Sequence, residues 1–97
     1  MHLSRIDLER GFDASLPIFQ AAVDNPHASL QELKDLEVTL EAFQNTMLTS
    51  YIEKVNQELQ QLKNRNERIA LSHRVGPYSV ALDELIEATR AKILAKR

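Results

Sequence analysis

The sequence contains no cysteine and no tryptophan, and it holds only two glycines, three prolines and five aromatic residues. Without thiols there is no disulfide framework, no thiol nucleophile and no cysteine-based zinc site. Gly11 and Gly76 stand far apart, so no glycine-rich loop exists to cradle a nucleotide phosphate. The longest uninterrupted apolar stretches run to three or four residues, whereas a membrane helix needs about 20. Residues 1–30 lack a basic start followed by an apolar run, so no secretory signal and no membrane partner are expected. These absences fit a soluble, cytoplasmic chain.

What remains favours helix. Ninety-seven residues, 43% hydrophobic and 27% charged, suit one globular domain spanning 1–97. There are 14 leucines, and Ala, Glu, Gln, Lys and Arg make up much of the rest. These side chains lose little freedom in a helix, and the composition therefore predicts an all-α fold.

Punctuation along the chain sets the expected helices. Ile6, Phe12, Leu16, Phe19 and Val23 recur at helical spacing, but Gly11 and Pro17 interrupt them. This pattern predicts a frayed first turn, a break near Gly11 and a short helix over about 14–23. Asp24-Asn25-Pro26 is a stop, because proline disfavours the helical conformation in the residue before it. Ser29 and Glu32 then have the spacing of a capping box. From Leu30 to Val75 there is neither glycine nor proline, which predicts one long amphipathic helix over about 30–75, roughly 70 Å in length. A bend or a hairpin is the alternative to a straight rod, with Asn64-Arg65-Asn66 the first candidate break and Thr46 to Ser50 the second. Gly76-Pro77 is the expected terminator, followed by a Ser79-capped helix over about 80–96.

The long segment carries an apolar stripe. Leu33, Leu36, Leu40, Phe43 and Met47 alternate steps of three and four, and Tyr51, Val55 and Leu59 follow at steps of four. Leu62, Asn66 and Ile69 resume the alternation. Consecutive four-residue steps between heptad stretches form a stutter, which locally unwinds a coiled coil. Flanking helices of about 15 and 17 residues, laid end to end, cover only about 48 Å of this rod. Part of the stripe is then left bare, and exposed contiguous apolar surface marks an interaction site. Leu33, Leu36, Leu40, Phe43, Met47, Tyr51, Val55, Leu59, Leu62 and Ile69 are the expected partner-binding residues. The architecture expected is a helical bundle or a coiled-coil-like dimer, paired with itself or with a helical partner.

Charge is unevenly spread. Glu32, Asp35, Glu37, Glu41, Glu53 and Glu58 outnumber Lys34 and Lys54, whereas Lys63, Arg65, Arg68 and Arg74 meet only Glu67. These four bases are the candidate nucleic-acid contacts, since phosphate binding needs clustered Lys and Arg. The residues at 61, 65 and 68 share one helix face and those at 60, 63 and 67 another, so the bases are spread around the helix. No helix-turn-helix pattern accompanies them, and a partner-facing or solvated surface is the stronger expectation.

Catalytic and metal motifs are absent. His2, His27 and His73 do not pair at helical spacing, and Glu37 and Glu41 lack the Glu-x-x-His motif of bundle metal sites. No catalytic residue, metal ligand or cofactor site is expected. The chain reads as a non-enzymatic adaptor, a chaperone for another helix, or an assembly subunit, with a small nucleic-acid-associated regulator as the alternative.

A helix, the Asn25-Pro26 turn and a longer helix opening at Ser29 together resemble type III secretion needle subunits over about residues 12–62. Those are small helical hairpins that polymerise, so the resemblance implies a self-assembling subunit. The chain departs from that layout by continuing through Gly76-Pro77 into a third helix. Small helical chaperones of the same kind of apparatus share the layout equally.

Overall fold

The computed structural model describes residues 3–97; His2 lies outside the described residues. Every element is helical: α1 (Arg5–Asp24), α2 (Leu30–Phe43), a π-helical segment (Gln44–Leu48), α3 (Thr49–Gln61), α4 (Arg65–Ser72) and α5 (Val75–Lys96). The all-α expectation holds. Joined without a break, α2, the π segment and α3 form a rod of about 48 Å, close to the longest molecular extent of 52 Å. α1 runs up the molecule, the rod runs down, and α5 runs up again.

The N-terminal helix is longer than its punctuation predicts. Ser4 caps it through a full box with Asp7, so it starts at Arg5 rather than near Ala14. Gly11 does not break the helix. It sits inside α1 where Met47 approaches, and a Cβ there would stand 3.1 Å from the Met47 Cε. Pro17 also lies within α1, on its solvent-exposed side. The Asn25-Pro26 stop and the Ser29–Glu32 capping box are found as expected, with α1 ending at Asp24 and α2 starting at Leu30.

The expected single helix over 30–75 is interrupted, and the correction has a local cause. Leu62 and Asn64 adopt extended backbone, with ψ of 131° and 123°. The Asn64 side chain accepts from the N–H groups of Asn66 and Glu67, capping α4. Arg68 reaches back to donate to the carbonyls of Leu59 and Leu62, satisfying the open end of α3. Two side chains thus reverse the chain with no glycine or proline. At the second candidate break, around Thr46, the helix widens into the π segment instead of stopping. A wider turn absorbs part of the drift that successive four-residue steps accumulate.

Gly76-Pro77 is not a terminator either. Both residues lie in the first turn of α5, which starts at Val75 rather than Val80. Proline is tolerated there because its missing N–H has no intrahelical partner. Gly76 has no positive φ, so it makes no left-handed cap.

Three apolar clusters stack along the bundle. Leu8, Phe12, Leu48, Tyr51, Val55, Leu71 and Leu82 form the lowest, Val23, Leu40, Leu85 and Ile86 the middle, and Ala28, Leu33 and Ile93 the uppermost. All five aromatic residues meet around the lowest cluster. Phe12 stacks on Tyr78 at 4.7 Å and stands edge-on to Phe43 and Tyr51 at 5.6 and 5.5 Å. Phe19 extends the group edge-on to Phe43.

Pro17 deprives the Asp13 carbonyl of its helical hydrogen bond, and both residues are exposed. Replacement by alanine restores that bond and removes the ring's conflict with the preceding turn. Pro17→Ala is expected to raise the free energy of unfolding by about 1–3 kcal/mol, read as a higher urea midpoint at unchanged slope. An unchanged or lower midpoint would mean that α1 needs the proline for its fit against the rod.

Candidate functional site

Within one copy, most of the predicted partner stripe is already covered. Leu33, Leu40, Tyr51 and Val55 are at most 2% exposed. Leu36, Phe43, Met47, Leu59 and Leu62 are partly buried and pack against the clusters. The end-to-end cover assumed from sequence is wrong: α1 and α5 have 20 and 22 residues and lie side by side along the rod. The rod is also shorter than predicted, because the chain reverses after Gln61. From Leu33 to Val55 the stripe is therefore the molecule's own core and not a free surface.

The last stripe residues differ. Ile69 is 42% exposed, and Leu71 is the buried residue of α4. α4 packs chiefly on α3. On the Leu71 side of α4, opposite Ile69, lies a cleft of about 390 Å³ lined by Arg5, Glu58, Gln61, Leu62, Glu67, Ala70, Leu71 and Arg74. Its wall is apolar at Leu62, Ala70 and Leu71, and its rim carries charges of both signs. Such a cleft offers an apolar anchor point with polar groups to fix orientation.

A charged network closes one side of the cleft. Glu9 is only 7% exposed, yet it receives Arg74 at 2.9 and 3.1 Å, Arg5 at 2.8 Å and the Tyr51 hydroxyl at 2.6 Å. Arg5 also pairs with Glu58. The Arg74 hydrogen bonds, followed by those of Tyr51 and Arg5, hold the Glu9 carboxyl at about 2 against an ordinary 4.5, overcoming the burial that alone would raise it. Burial and the Glu9 carboxylate push the Tyr51 hydroxyl well above its usual range. The network ties the α4–α5 junction to α1 and α3. Among the described residues, no buried side-chain nitrogen or oxygen lacks a hydrogen-bond partner.

The basic residues are divided in their roles. Arg68 is occupied by the α3 carbonyls and Arg74 by Glu9. Lys63 and Arg65 are exposed. Two of the four thus already have acceptors within the molecule. Glu37 and Glu41 receive the Arg90 guanidinium at 2.7 and 2.6 Å, so this carboxylate pair is an α2–α5 bridge. Among the described residues, no group of three or more His, Asp or Glu side chains is placed to hold a metal. No described helix is long and apolar enough to cross a membrane.

Sequence reasoning missed Glu9, Arg5, Asp13 and Tyr78. The Tyr78 hydroxyl donates to Asp13 at 3.2 Å, and its ring joins the aromatic group. The available signals were the Ser4–Asp7 box and the Arg5–Glu9 spacing of four, both of which argue for a helix starting at Arg5.

Comparisons with protein-family models, curated proteins and solved structures find no match to this chain.

Because the folded Glu9 carboxyl titrates below its ordinary value, its stabilising contribution is complete above pH 4.5 and is lost as pH falls towards 2. Glu9→Gln is expected to destabilise the protein at neutral pH by roughly 2–3 kcal/mol, since two arginines lose their counter-charge. The gap between wild type and variant should shrink across that acid range in urea titrations. A gap that stays constant from neutral pH down to 2 would show that Glu9 carries no such coupling.

Proposed function

We propose that the chain is a non-enzymatic helical protein-interaction module whose partner-facing surface is the α3–α4 end of the bundle. The observation that carries this reading is the cleft at the end of the covered stripe: below the buried run from Leu33 to Val55, Leu62, Ala70 and Leu71 form an apolar wall between charged rims, while Ile69, 42% exposed, stands on the other face of α4. At this end α4 packs chiefly on α3, while α3 also packs on α1. An amphipathic partner helix places apolar side chains at helical spacing into such a groove. The mixed rim of Arg5, Glu58, Glu67 and Arg74 supplies orientation. An adaptor, a chaperone for another helix and an assembly subunit all use this kind of surface.

Capture from cells that make the protein tests the reading. The tagged wild-type chain is expected to retain a helical protein, and Ala70→Glu, at an exposed position on the cleft wall, is expected to lose it while keeping the wild-type circular dichroism spectrum. Val38→Glu changes an apolar residue that is 66% exposed on α2, and it should retain the partner. Equal capture by wild type and Ala70→Glu, or no capture by either, would remove the proposal.

A further inference from the structure

The reversal at residues 62–64 has an unusual chemical character. Its three residues, Leu62, Lys63 and Asn64, are neither glycine nor proline, and no described residue has positive φ. Nothing covalent prevents these residues from being helical. The bent form is held by side-chain caps, Asn64 on the start of α4 and Arg68 on the end of α3. When residues 62–64 become helical, the same backbone groups are satisfied within the helix and the caps are no longer needed.

The apolar spacing continues straight through the reversal. Leu59, Leu62, Asn66 and Ile69 follow one another at three, four and three residues, which places them on one face only if the helix is continuous. In the bent chain this face is split, and Ile69 stands 42% exposed. An uninterrupted helix would rejoin this face, which is apolar at three of its four positions, Asn66 being the exception.

The arm beyond the reversal makes contacts that are indifferent to chain connectivity. α5 packs along α2 and α1 through Leu82, Leu85, Ile86 and Ile93, and it is bridged by Asp83 to Gln44 and by Arg90 to Glu37 and Glu41. An identical arm from another copy makes the same contacts. Exchange of identical elements through a short hinge is a low-cost route to a dimer.

The geometry points to a second copy of this chain as the partner at the α3–α4 end, bound by reciprocal exchange. The reversal opens into a helix running from Leu30 to Ser72, and each α4–α5 arm occupies the place of the other copy's arm. The two long helices then cross about a two-fold axis near Lys63. Leu59, Leu62 and Ile69 of one copy meet those of the other, so the exposed Ile69 becomes buried. This inference rests on the interaction reading of the same surface and names its occupant.

The test uses the full chain and the absence of native cysteine. Light scattering after size-exclusion chromatography across a dilution series is expected to show a monomer that converts to a dimer as concentration rises. A Gln44→Cys, Asp83→Cys variant places the only two thiols at positions that touch across the α2–α5 interface. A short bis-maleimide should link the dimer fraction into covalent dimers on a denaturing gel and the monomer fraction only internally. Lys63→Pro, which suits the extended Leu62 before it, should hold the protein monomeric with unchanged helix content. Asn64→Ala with Arg68→Ala should increase the dimer fraction several-fold. A monomer at every concentration, a dimer whose crosslinks stay within one chain, or a dimer fraction indifferent to these variants would overturn exchange. If the monomer still captures a helical protein through the cleft wall at Ala70, the interaction reading stands without it.

Discussion

The arrangement of this molecule depends on how Asn64 and Arg68 turn a helix back without glycine or proline. A helix end leaves its last carbonyls unpaired, and a helix start leaves its first N–H groups unpaired. Asn64 takes two of the N–H groups of α4, and Arg68 donates to the α3 carbonyl of Leu59 and to that of Leu62, the residue that caps α3. Each cap contributes only on the order of 1 kcal/mol, so the reversal is maintained by few interactions at its own site. Its strength comes from what it delivers: α5, laid along both α2 and α1.

Two features of unlike chemistry then lock the arms together. Phe12, with no exposed surface, joins α1 to the rod through Phe43 and Tyr51 and to α5 through Tyr78. Glu9, one helical turn before it, draws Arg74 and Tyr51 onto a single carboxylate. A buried charge is costly unless its acceptor sites are filled, and every donor around Glu9 is supplied by a different part of the fold or by the preceding turn of α1. The network therefore favours one relative placement of α1, α3 and the α4–α5 junction over other compact packings. Arg90 on Glu37 and Glu41 lies more exposed and contributes less.

The parts of this fold that were legible in the sequence are those written in local chemistry. The Ser29–Glu32 box and the Asn25-Pro26 stop follow from neighbouring residues alone. Gly11, Pro17 and Gly76-Pro77 misled because their effect depends on surroundings. Gly11 accommodates Met47 from another helix, Pro17 faces outward, and Pro77 falls in a first turn. The reversal was legible as a site but not as an event, since Asn64 signals a cap only when Arg68 completes the other side. The stripe was read correctly as a buried face, but the surface covering it was misjudged. Two helices side by side shield about the same length of rod twice, leaving only its end to other uses.

The proposed function rests on that end. A closed bundle whose core is complete offers little to a partner, whereas α3 and α4 line an amphipathic cleft and Ile69 stands exposed on the other face of α4. The reversal at residues 62–64 thus determines both what the chain hides and what it presents. Carbon-13 chemical shifts of the backbone in dilute solution test this most directly. The account predicts helical values for Thr49 to Gln61 and Arg65 to Ser72, interrupted by extended values at Leu62 and Asn64. Helical values running unbroken from Thr49 to Ser72 in the dilute monomer would contradict it.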